Sequence, residues 1–544
     1  MNKKPVKQSL MIAALTSSFG IFVSKALGLL YYSPLSSLAG EANMVFYSIT
    51  YTYYDLLLKI SSAGIPFAIA ALVARYYAKE DYKTVLLIKK LGISLIMTLS
   101  FIVAIAFLFL SGPLAAQSMG ASASLEDIQH LKTLFLILII AVIFVPFLSA
   151  LRGYYQGLKR LDLYGSSQAL EQFVRVGSII LLGFFLVKVL ELDSIYAIYG
   201  AISAAAIAAF ITIIFFIYMT KEDDKRIEKL IKTQSKPALS KKVIFQEMLS
   251  LGIPYLVISF LGSLSALVNT TFFMDTVTKA GMDIASAKLS MGILQANCNK
   301  LSSIPQVLTL GFSAGLVPYL VESLEQQDFK KLGKQVVQIL DTVLYILVPL
   351  LLIFVCFSRD IYFIMYGNSN LDLSTKLFRA SNMVTFTDTI APILSSIMIT
   401  LRLRKEATIT LIGSIVIKLI TFFILVRMFG AYGMCISTAI SSMFVIVCYL
   451  LILKKKFKIR FIKTVNRLIF TTVAALASVV PIYLISTLFP FDYTSRIIDI
   501  IKMGTCGVLM AGAYYYISAK LRLPQVIFGI KKLTIRGLLS RFRG

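Results

Sequence analysis

Apolar residues are concentrated in long blocks along the chain, and short polar segments separate the blocks. Each block runs for roughly 20 to 30 residues, which is the length that crosses a bilayer as an α-helix. The blocks also lack the regular polar face of a helix in a soluble protein. The pattern predicts an all-α polytopic membrane protein with fourteen transmembrane helices. They lie near residues 10–36, 45–75, 91–111, 132–151, 164–187, 195–218, 248–275, 284–319, 337–357, 378–401, 407–426, 431–453, 469–488 and 497–518.

Three segments in the first half of the chain resemble three segments in the second half. Members of each pair stand about 240 residues apart, and a near-constant offset over separated blocks indicates an internal duplication. One pair sets Arg175 against Lys418. The pairs are LLLKISSAGIPFAIAALVARY (56–76) with CNKLSSIPQVLTLGFSAGLVPYL (298–320), PFLSALRGYYQGLKR (146–160) with PILSSIMITLRLRK (392–405), and SSQALEQFVRVGSIILL (166–182) with TLIGSIVIKLITFFIL (410–425).

The duplication predicts two six-helix repeats in parallel orientation, because an even number of crossings returns the chain to the same side. We assign residues 1–219 to the first repeat, 220–243 to a charged cytoplasmic linker and 244–456 to the second repeat. Residues 457–544 hold helices 13 and 14, which have no counterpart in the repeat, and a basic tail. Duplicated halves of this kind are typical of transporters.

The basic charge of the chain follows its topology. Only 15% of the 544 residues are charged, against about 25% in soluble proteins, and the formal net charge is +27. Lys and Arg cluster in alternate loops, which by the positive-inside rule places both termini in the cytoplasm. We therefore expect a multi-pass cell-membrane protein that contacts membrane lipid and binds no nucleic acid. Lys25 interrupts the first long apolar run, which we expect to remain as an uncleaved anchor.

Residue types used in catalysis and metal binding are scattered along the chain. The five cysteines occur singly, and the only histidine, His130, has no second ligand near it in sequence. We interpret His130 as a solvated surface residue. There is no Walker loop, aspartate-rich metal motif or Ser/His/Asp set. We therefore expect no catalytic residues, no metal and no cofactor, and a transporter rather than an enzyme.

Five basic residues lie near the centres of predicted spans, where each costs about 2.5–3.5 kcal/mol to insert. Because this penalty is large, each must have an internal partner or line a wet cavity. We predict that they bind an anionic substrate, with Ser24 as a polar neighbour. The five are Lys25, Lys59, Arg175, Lys300 and Lys418.

Sequence spacing leaves internal pairing open for two of these cations. Asp55 precedes Lys59 by four residues and Glu171 precedes Arg175 by four, so each acid shares a helix face with its base. The other three have no acid three or four residues away. Both interpretations, internal pairing and substrate binding, therefore remain for Lys59 and Arg175.

The predicted spans that carry Lys59 and Lys300 each contain a proline just after the lysine. These are Pro66, in SAGIP with Gly64, and Pro305, in SSIP. Proline removes a backbone hydrogen bond and kinks a helix. We predict that Gly64, Pro66 and Pro305 form gating bends beside the cavity.

VSKALGLLYYSPL, LLLKISSAGIPFAIAALVARYYA and ALRGYYQGLKRLDLYGSSQALEQFVRVG together resemble the lipid II flippase branch of the MOP exporter superfamily. The likeness is to MurJ-type flippases of Gram-positive bacteria and covers essentially the whole chain. It implies a V-shaped transporter whose central cationic cavity binds an undecaprenyl-pyrophosphate-linked saccharide. It also implies that Lys25, Lys59 and Lys300 match basic cavity positions of the family, and that helices 13 and 14 form a groove for the lipid tail. Tyr31 and Tyr32 depart from the Arg-Asp pair of Gram-negative relatives.

The resulting function hypothesis is a flippase that moves lipid II from the cytoplasmic to the outer leaflet of a Gram-positive plasma membrane by alternating access. Cell-wall synthesis enzymes are further partners on this hypothesis. Two alternatives stay open. One is a flippase for another undecaprenyl-linked polysaccharide or a teichoic-acid unit, and the other is a cell-wall morphogenesis scaffold that does not transport.

Overall fold

A computed structural model describes residues 28, 31–62, 64–235, 237–314, 320, 323–324, 326–488, 493 and 495–528. Two predicted site residues, Ser24 and Lys25, lie outside the described residues. The same holds for most of the first predicted span and for the basic tail. Contacts divide the chain into two compact units, Met1–Asn297 and Cys298–Gly544.

All the regular secondary structure in the described residues of the first unit is helical. Its longest helices are α4, α5 and α9, and a short π-helical segment, Phe185–Val189, extends α6. The helices are α1 (Tyr32–Ala39), α2 (Met44–Ser62), α3 (Ile65–Ala78), α4 (Tyr82–Met119), α5 (Leu125–Gly157), α6 (Leu161–Phe184), α7 (Ile195–Met219), α8 (Lys221–Thr233), α9 (Lys241–Lys279) and α10 (Ile284–Met291).

The second unit is likewise helical where it is described. Its helices are α11 (Asn299–Ala314), α12 (Phe329–Cys356), α13 (Ser358–Tyr366), α14 (Leu371–Thr400), α15 (Arg404–Phe429), α16 (Ala431–Phe457), α17 (Ile462–Leu488), α18 (Arg496–Lys520) and α19 (Leu523–Phe528).

Among the described residues, 12 helical stretches are long and apolar enough to cross a membrane. They coincide with twelve of the fourteen predicted spans, so the class of multi-span helical membrane protein is confirmed. The first predicted span falls mainly on residues that the structure does not describe. The eighth is divided by a π-helical segment, Gly292–Cys298, which precedes α11. The count of fourteen and the six-plus-six repeat therefore stay predictions.

Polar residues at the helix starts explain where several helices begin. At each, a side-chain oxygen accepts a hydrogen bond from a backbone N–H that has no partner within the helix. Such N-caps start α4, α5, α9, α10 and α12. The capping residues are Asp81, Ser124, Ser240, Asp283 and Asp328.

Helix α9 packs with the first unit although the predicted repeat places it in the second half of the sequence. It lies against α2, α3 and α4, and Ile244 and Met248 join a buried cluster with Leu72, Ile88 and Phe216. Burial of apolar side chains of this size contributes about 1.5–3 kcal/mol each. Packing therefore places α9 in the first unit, whereas the predicted repeat, which rests on a comparison of sequences, assigns it to the second half.

Two glycines of the RGYYQG motif allow α5 to approach α3 closely. A Cβ at Gly153 would lie 2.5 Å from the Pro66 carbonyl oxygen, and one at Gly157 would lie 2.6 Å from Val73 Cβ. Small residues four apart are the usual means of close helix approach in membranes. The motif therefore includes a packing surface for the helix that follows Gly64.

The second predicted span is broken rather than kinked. Helix α2 ends at Ser62 and α3 begins at Ile65, with Gly64 in the left-handed region at φ 80°. Pro66 lies in the first turn of α3. Backbone N–H groups in that turn have no partner within the helix, so the missing N–H of proline costs no hydrogen bond. The break thus depends on Gly64, and Pro66 starts the new helix.

In the eighth predicted span, the irregular backbone also precedes the proline. The π-helical segment Gly292–Cys298 lies before Lys300, and α11 remains helical through Pro305. A Cβ at Gly292 would lie 2.4 Å from the Glu41 carbonyl oxygen. Because π-helical turns alter the register of a helix, this segment is a stronger candidate for a bend than Pro305.

An ion pair between α12 and α17 fixes the additional C-terminal helices to the second unit. Arg467 donates to Asp341, whose side chain is fully buried. We expect Arg467→Leu to lower the free energy of unfolding by about 1–3 kcal/mol, because it leaves a buried carboxylate unpaired. The double variant Arg467→Leu/Asp341→Leu should recover part of that loss. Apparent Tm values of the purified proteins test this, and equal Tm values for the single and double variants would contradict it.

Candidate functional site

One face of α2 carries an exposed ring, a carboxylate and an ammonium group near the middle of a membrane span. Tyr51, Asp55 and Lys59 stand four residues apart and therefore share a helix face. Tyr51 is 44% exposed, and the side chains of Asp55 and Lys59 are 50% and 34% exposed. Since α2 and α3 form one candidate span, Met44–Ala78, Lys59 lies close to its centre. Charged groups at that depth face water or protein rather than lipid.

Lys59 has two partners in the first unit. Its Nζ donates to Asp55 Oδ2 at 2.5 Å and to Ser263 Oγ of α9 at 2.7 Å. The internal pairing that the sequence left open is therefore present for Lys59. Because both members of this pair are accessible, each can exchange its partner for water or a ligand without burying a lone charge.

Arg175 belongs to a more buried group of three charges. Arg175 Nη2 donates to Glu171 Oε1 at 2.6 Å, and Arg152 Nη1 donates to Glu171 Oε2 at 2.8 Å. Arg152 also donates to Ser167 Oγ at 2.9 Å. The side chains of Arg152, Glu171 and Arg175 are 10%, 13% and 17% exposed. One carboxylate thus balances two guanidinium groups, and removing it would leave both without a counter-ion.

Tyr51 connects these two groups of charges. Its side chain lies within electrostatic range of Arg175, Asp55 and Glu171, and the residue is 44% exposed. Tyr51 is therefore an accessible residue that lies beside both ion-paired groups. We define the charged cluster as Asp55, Lys59, Arg152, Glu171 and Arg175. With three basic and two acidic members, the charged cluster carries a net positive charge.

Tyr155 of the RGYYQG motif helps to hold the linker helix α8 against the rest of the first unit. Lys89 Nζ donates to Asp224 Oδ1 at 2.8 Å and to the Tyr155 hydroxyl at 3.0 Å, and Tyr155 donates to Asp224 at 2.7 Å. Arg160 forms an ion pair with Asp223, which belongs to α8 as Asp224 does. Partial burial raises the pKa of the Asp223 carboxyl, and the Arg160 guanidinium opposes that shift. The motif therefore positions both the charged cluster, through Arg152, and the linker.

In the second unit, Lys418 is fully buried. Its Nζ donates to Ser437 Oγ at 2.8 Å and to Thr438 Oγ1 at 2.6 Å, both on α16. Asp388 of α14 accepts from Ser442 at 3.1 Å and interacts electrostatically with Lys418. Because Lys418 is inaccessible in this conformation, its predicted contact with substrate would require a rearrangement of the unit. That contact stays a prediction.

Lys300 lies in the first turn of α11 and is half-buried. Its carbonyl oxygen accepts a hydrogen bond from Ser303 Oγ at 2.6 Å. Among the predicted site residues, Lys59 and Arg175 both lie in the first unit, in two ion-paired groups near Tyr51. Lys300 and Lys418 belong to the second unit, and Ser24 and Lys25 lie outside the described residues.

Sequence reasoning missed three residues at or beside the charged cluster: Tyr51, Arg152 and Ser263. The sequence does carry a signal for Tyr51, because this residue stands four residues before Asp55, just as Asp55 stands four residues before Lys59. Arg152 stands in the motif RGYYQG, but no local acid marked it as charge-paired. His130 is also less exposed than expected, because its Nδ1 lies 2.5 Å from the Tyr199 hydroxyl.

Comparisons with known proteins give the site its context. The family described as "Polysaccharide biosynthesis protein" matches residues 13–324. "Lipid II flippase MurJ" of Bacillus subtilis (strain 168) is 26% identical over 469 residues, covering 85% of this chain and 86% of that protein. The predicted resemblance to lipid II flippases is confirmed.

Two solved structures share the fold. "Lipid II flippase MurJ, inward closed conformation" has a TM-score of 0.64 at 17% identity, covering 93% of this chain and 98% of that one. An inward-facing multidrug resistance MATE family transporter of the MOP superfamily has a TM-score of 0.61 at 14% identity, covering 81% of this chain and 99% of that one. Since the Bacillus subtilis relative is named as a flippase, the chain is classed as a transporter rather than an enzyme.

Proposed function

Because the chain belongs to the polysaccharide biosynthesis protein family, whose match covers more than half of its residues, we propose that it is a flippase for the peptidoglycan precursor lipid II. The relative that is 26% identical over most of both chains carries that activity in its name. The observation that carries the proposal is the accessible Asp55–Lys59 pair near the centre of a membrane span. An accessible cation at that depth suits a substrate that must take its pyrophosphate through the bilayer.

In the proposed mechanism, the pyrophosphate takes the place of Asp55 as the partner of Lys59. Lys25 and Lys300 supply further cations, as the family resemblance implies. Arg175 stays paired with the Glu171 carboxylate and adds positive potential to the proposed binding cavity. Lys418 would join only after a rearrangement. Binding biases the transport cycle only if it is stronger in one conformation than in the other.

The conformational change is proposed to use the breaks in two spans. Gly64 and Pro66 lie at the junction of α2 and α3, and Pro305 follows the π-helical segment before α11. The proposed direction of transport is from the cytoplasmic to the outer leaflet of a plasma membrane, with both termini cytoplasmic. Cell-wall synthesis enzymes remain proposed partners.

Removing the accessible cations is expected to reduce transport. We expect Lys59→Gln to lower lipid II flipping by about tenfold or more, because a hydrogen bond to a charged group contributes about 1.5–3 kcal/mol. Lys300→Gln should have an effect of the same order. The measurements are lipid II translocation in proteoliposomes and rescue of a strain depleted of its own lipid II flippase.

Lys279→Gln is the matched control, because Lys279 is an exposed lysine at the end of α9 that also pairs with an acid four residues away, Asp275. It should flip lipid II at the rate of the unaltered protein. Full activity of both Lys59→Gln and Lys300→Gln would overturn the role of these cations. Movement of a teichoic-acid precursor but not of lipid II would favour the alternative of a flippase for another undecaprenyl-linked polysaccharide or a teichoic-acid unit. Rescue without any translocation would favour the scaffold.

A further inference from the structure

Five tyrosines pack against one another beside the charged cluster, and only one of them is accessible. Ring centroids lie 5.5 Å apart for Tyr32 and Tyr47, 5.8 Å for Tyr47 and Tyr51, and 5.7 Å for Tyr51 and Tyr54. The Tyr31 and Tyr47 hydroxyls are 2.8 Å apart. Tyr51 is 44% exposed, whereas the other four are buried. The buried rings therefore act as a support that holds one exposed ring in place.

The support fixes how the exposed ring is presented. Tyr47 and Tyr51 are stacked, with an interplanar angle of 17°, and Tyr54 contacts the Tyr51 ring edge at 60°. Aromatic pairs in these arrangements are favourable beyond their buried area. Because neighbours on the same helix limit its rotamers, Tyr51 offers a preformed flat surface to a ligand.

The accessible face of α2 presents three chemistries in a fixed order. The Tyr51 ring comes first, the Asp55 carboxylate one turn later and the Lys59 ammonium one turn after that. An α-helix rises 1.5 Å per residue, so the three groups extend over about 12 Å. A sugar has an apolar C–H face and a rim of hydroxyl donors, and in a lipid-linked saccharide a pyrophosphate follows it directly. Ring, carboxylate and ammonium match these parts in the same order.

We propose that Tyr51 and Asp55 form the sugar subsite of the transporter. The first sugar of a lipid-linked saccharide stacks on the Tyr51 ring and donates a hydroxyl hydrogen bond to Asp55, while Lys59 holds the adjacent pyrophosphate. When Asp55 separates from Lys59, Asp55 accepts a hydrogen bond from the sugar hydroxyl and Lys59 pairs with the pyrophosphate. This inference rests on the proposed function and assigns the part of the substrate that each residue contacts.

Binding of two lipids to the full-length protein in nanodiscs tests the subsite. One is lipid II and the other is undecaprenyl pyrophosphate, which has no sugar. Tyr51→Leu should weaken binding of lipid II by about three- to tenfold and leave binding of the sugar-free lipid unchanged. Asp55→Asn should also weaken binding of lipid II, but it should not weaken binding of undecaprenyl pyrophosphate, because it removes the carboxylate that competes for Lys59. Lys59→Gln should weaken binding of both lipids.

Two controls separate ring stacking from general damage. Tyr51→Phe keeps the ring and should bind lipid II as the unaltered protein does. Tyr218→Leu alters another exposed tyrosine, at the end of α7, and should affect neither lipid. Equal effects of Tyr51→Leu on both lipids, or no effect on either, would overturn the sugar subsite while leaving the flippase proposal intact. If the unaltered protein binds neither lipid, the flippase proposal and the subsite fail together.

Discussion

Replacement of Glu171 by glutamine is expected to lower the free energy of unfolding by about 3–5 kcal/mol, the usual effect of removing one member of a buried ion pair. Glu171 is the carboxylate of the charged cluster that accepts hydrogen bonds from both Arg152 and Arg175. Without it, two nearly buried guanidinium groups lie side by side with no counter-charge. The amide keeps the shape of the side chain, so the loss reports charge and not volume.

The order of three variants makes this prediction specific. Arg175→Gln leaves the Arg152–Glu171 pair intact and electrically balanced, so it should destabilise the protein less than Glu171→Gln does. Arg152→Gln leaves the equivalent Glu171–Arg175 pair and should also be milder. The apparent Tm is measured by the loss of helical circular dichroism, since the chain has no tryptophan to report unfolding. A Glu171→Gln protein that melts at the same temperature as Arg175→Gln would contradict the assignment.

Transport assays on the same variants separate stability from function. Arg175→Gln should remain folded, so any fall in lipid II flipping measures the positive potential that Arg175 adds to the charged cluster. A stable Arg175→Gln protein with full activity would confine Arg175 to a structural role.

Replacement of Gly64 by alanine is expected to lower the free energy of unfolding by about 2–5 kcal/mol, from backbone strain and steric overlap together. Gly64 has a φ of 80°, a conformation that residues with a Cβ rarely adopt. A Cβ there would also lie 2.4 Å from the Gly252 carbonyl oxygen and 2.8 Å from Tyr255 Cβ. Neither contact involves the flexible end of a side chain, so α9 itself would have to move.

The opposite side of the same contact supplies the matched control. A Cβ on Gly252 would meet Ile65 Cγ1 at 3.5 Å, an ordinary van der Waals distance. Gly252→Ala should therefore be tolerated, although it alters the same junction. Gly177→Ala, in open space on α6, should be neutral or slightly stabilising. Equal apparent Tm values for Gly64→Ala and Gly252→Ala would show that the left-handed turn is not needed.

The basic residues inside the membrane spans differ in how readily they can exchange a protein partner for a ligand. This difference does not follow their positions in the sequence. Lys418 is enclosed and bound by two hydroxyls, and Arg175 is held by a carboxylate shared with Arg152. Lys59 has an equally close carboxylate, yet it and Asp55 are accessible. A ligand phosphate can compete for a cation that water already reaches, whereas extraction of an enclosed cation requires the surrounding helices to separate.

Much of this protein could be predicted from its sequence. Bilayer thickness imposes long apolar blocks, so the helical class and the positions of twelve spans follow from the pattern of apolar residues along the chain. The pairs Asp55–Lys59 and Glu171–Arg175 were also within reach, because neighbours four residues apart must meet on a helix. These features depend on local geometry, which the order of residues specifies.

Tertiary structure alone decided the features that depend on distant residues. The second guanidinium on Glu171 comes from Arg152 on another helix, and the hydroxyl on Lys59 comes from Ser263. The break in the second span depends on Gly64 and on the carbonyl oxygen of Gly252 across the packing interface. Accessibility, which separates Lys59 from Lys418, is likewise set by which helices cover each side chain. Sequence spacing carries no information about such neighbours, because helix packing brings together residues whose separation along the chain follows no fixed period.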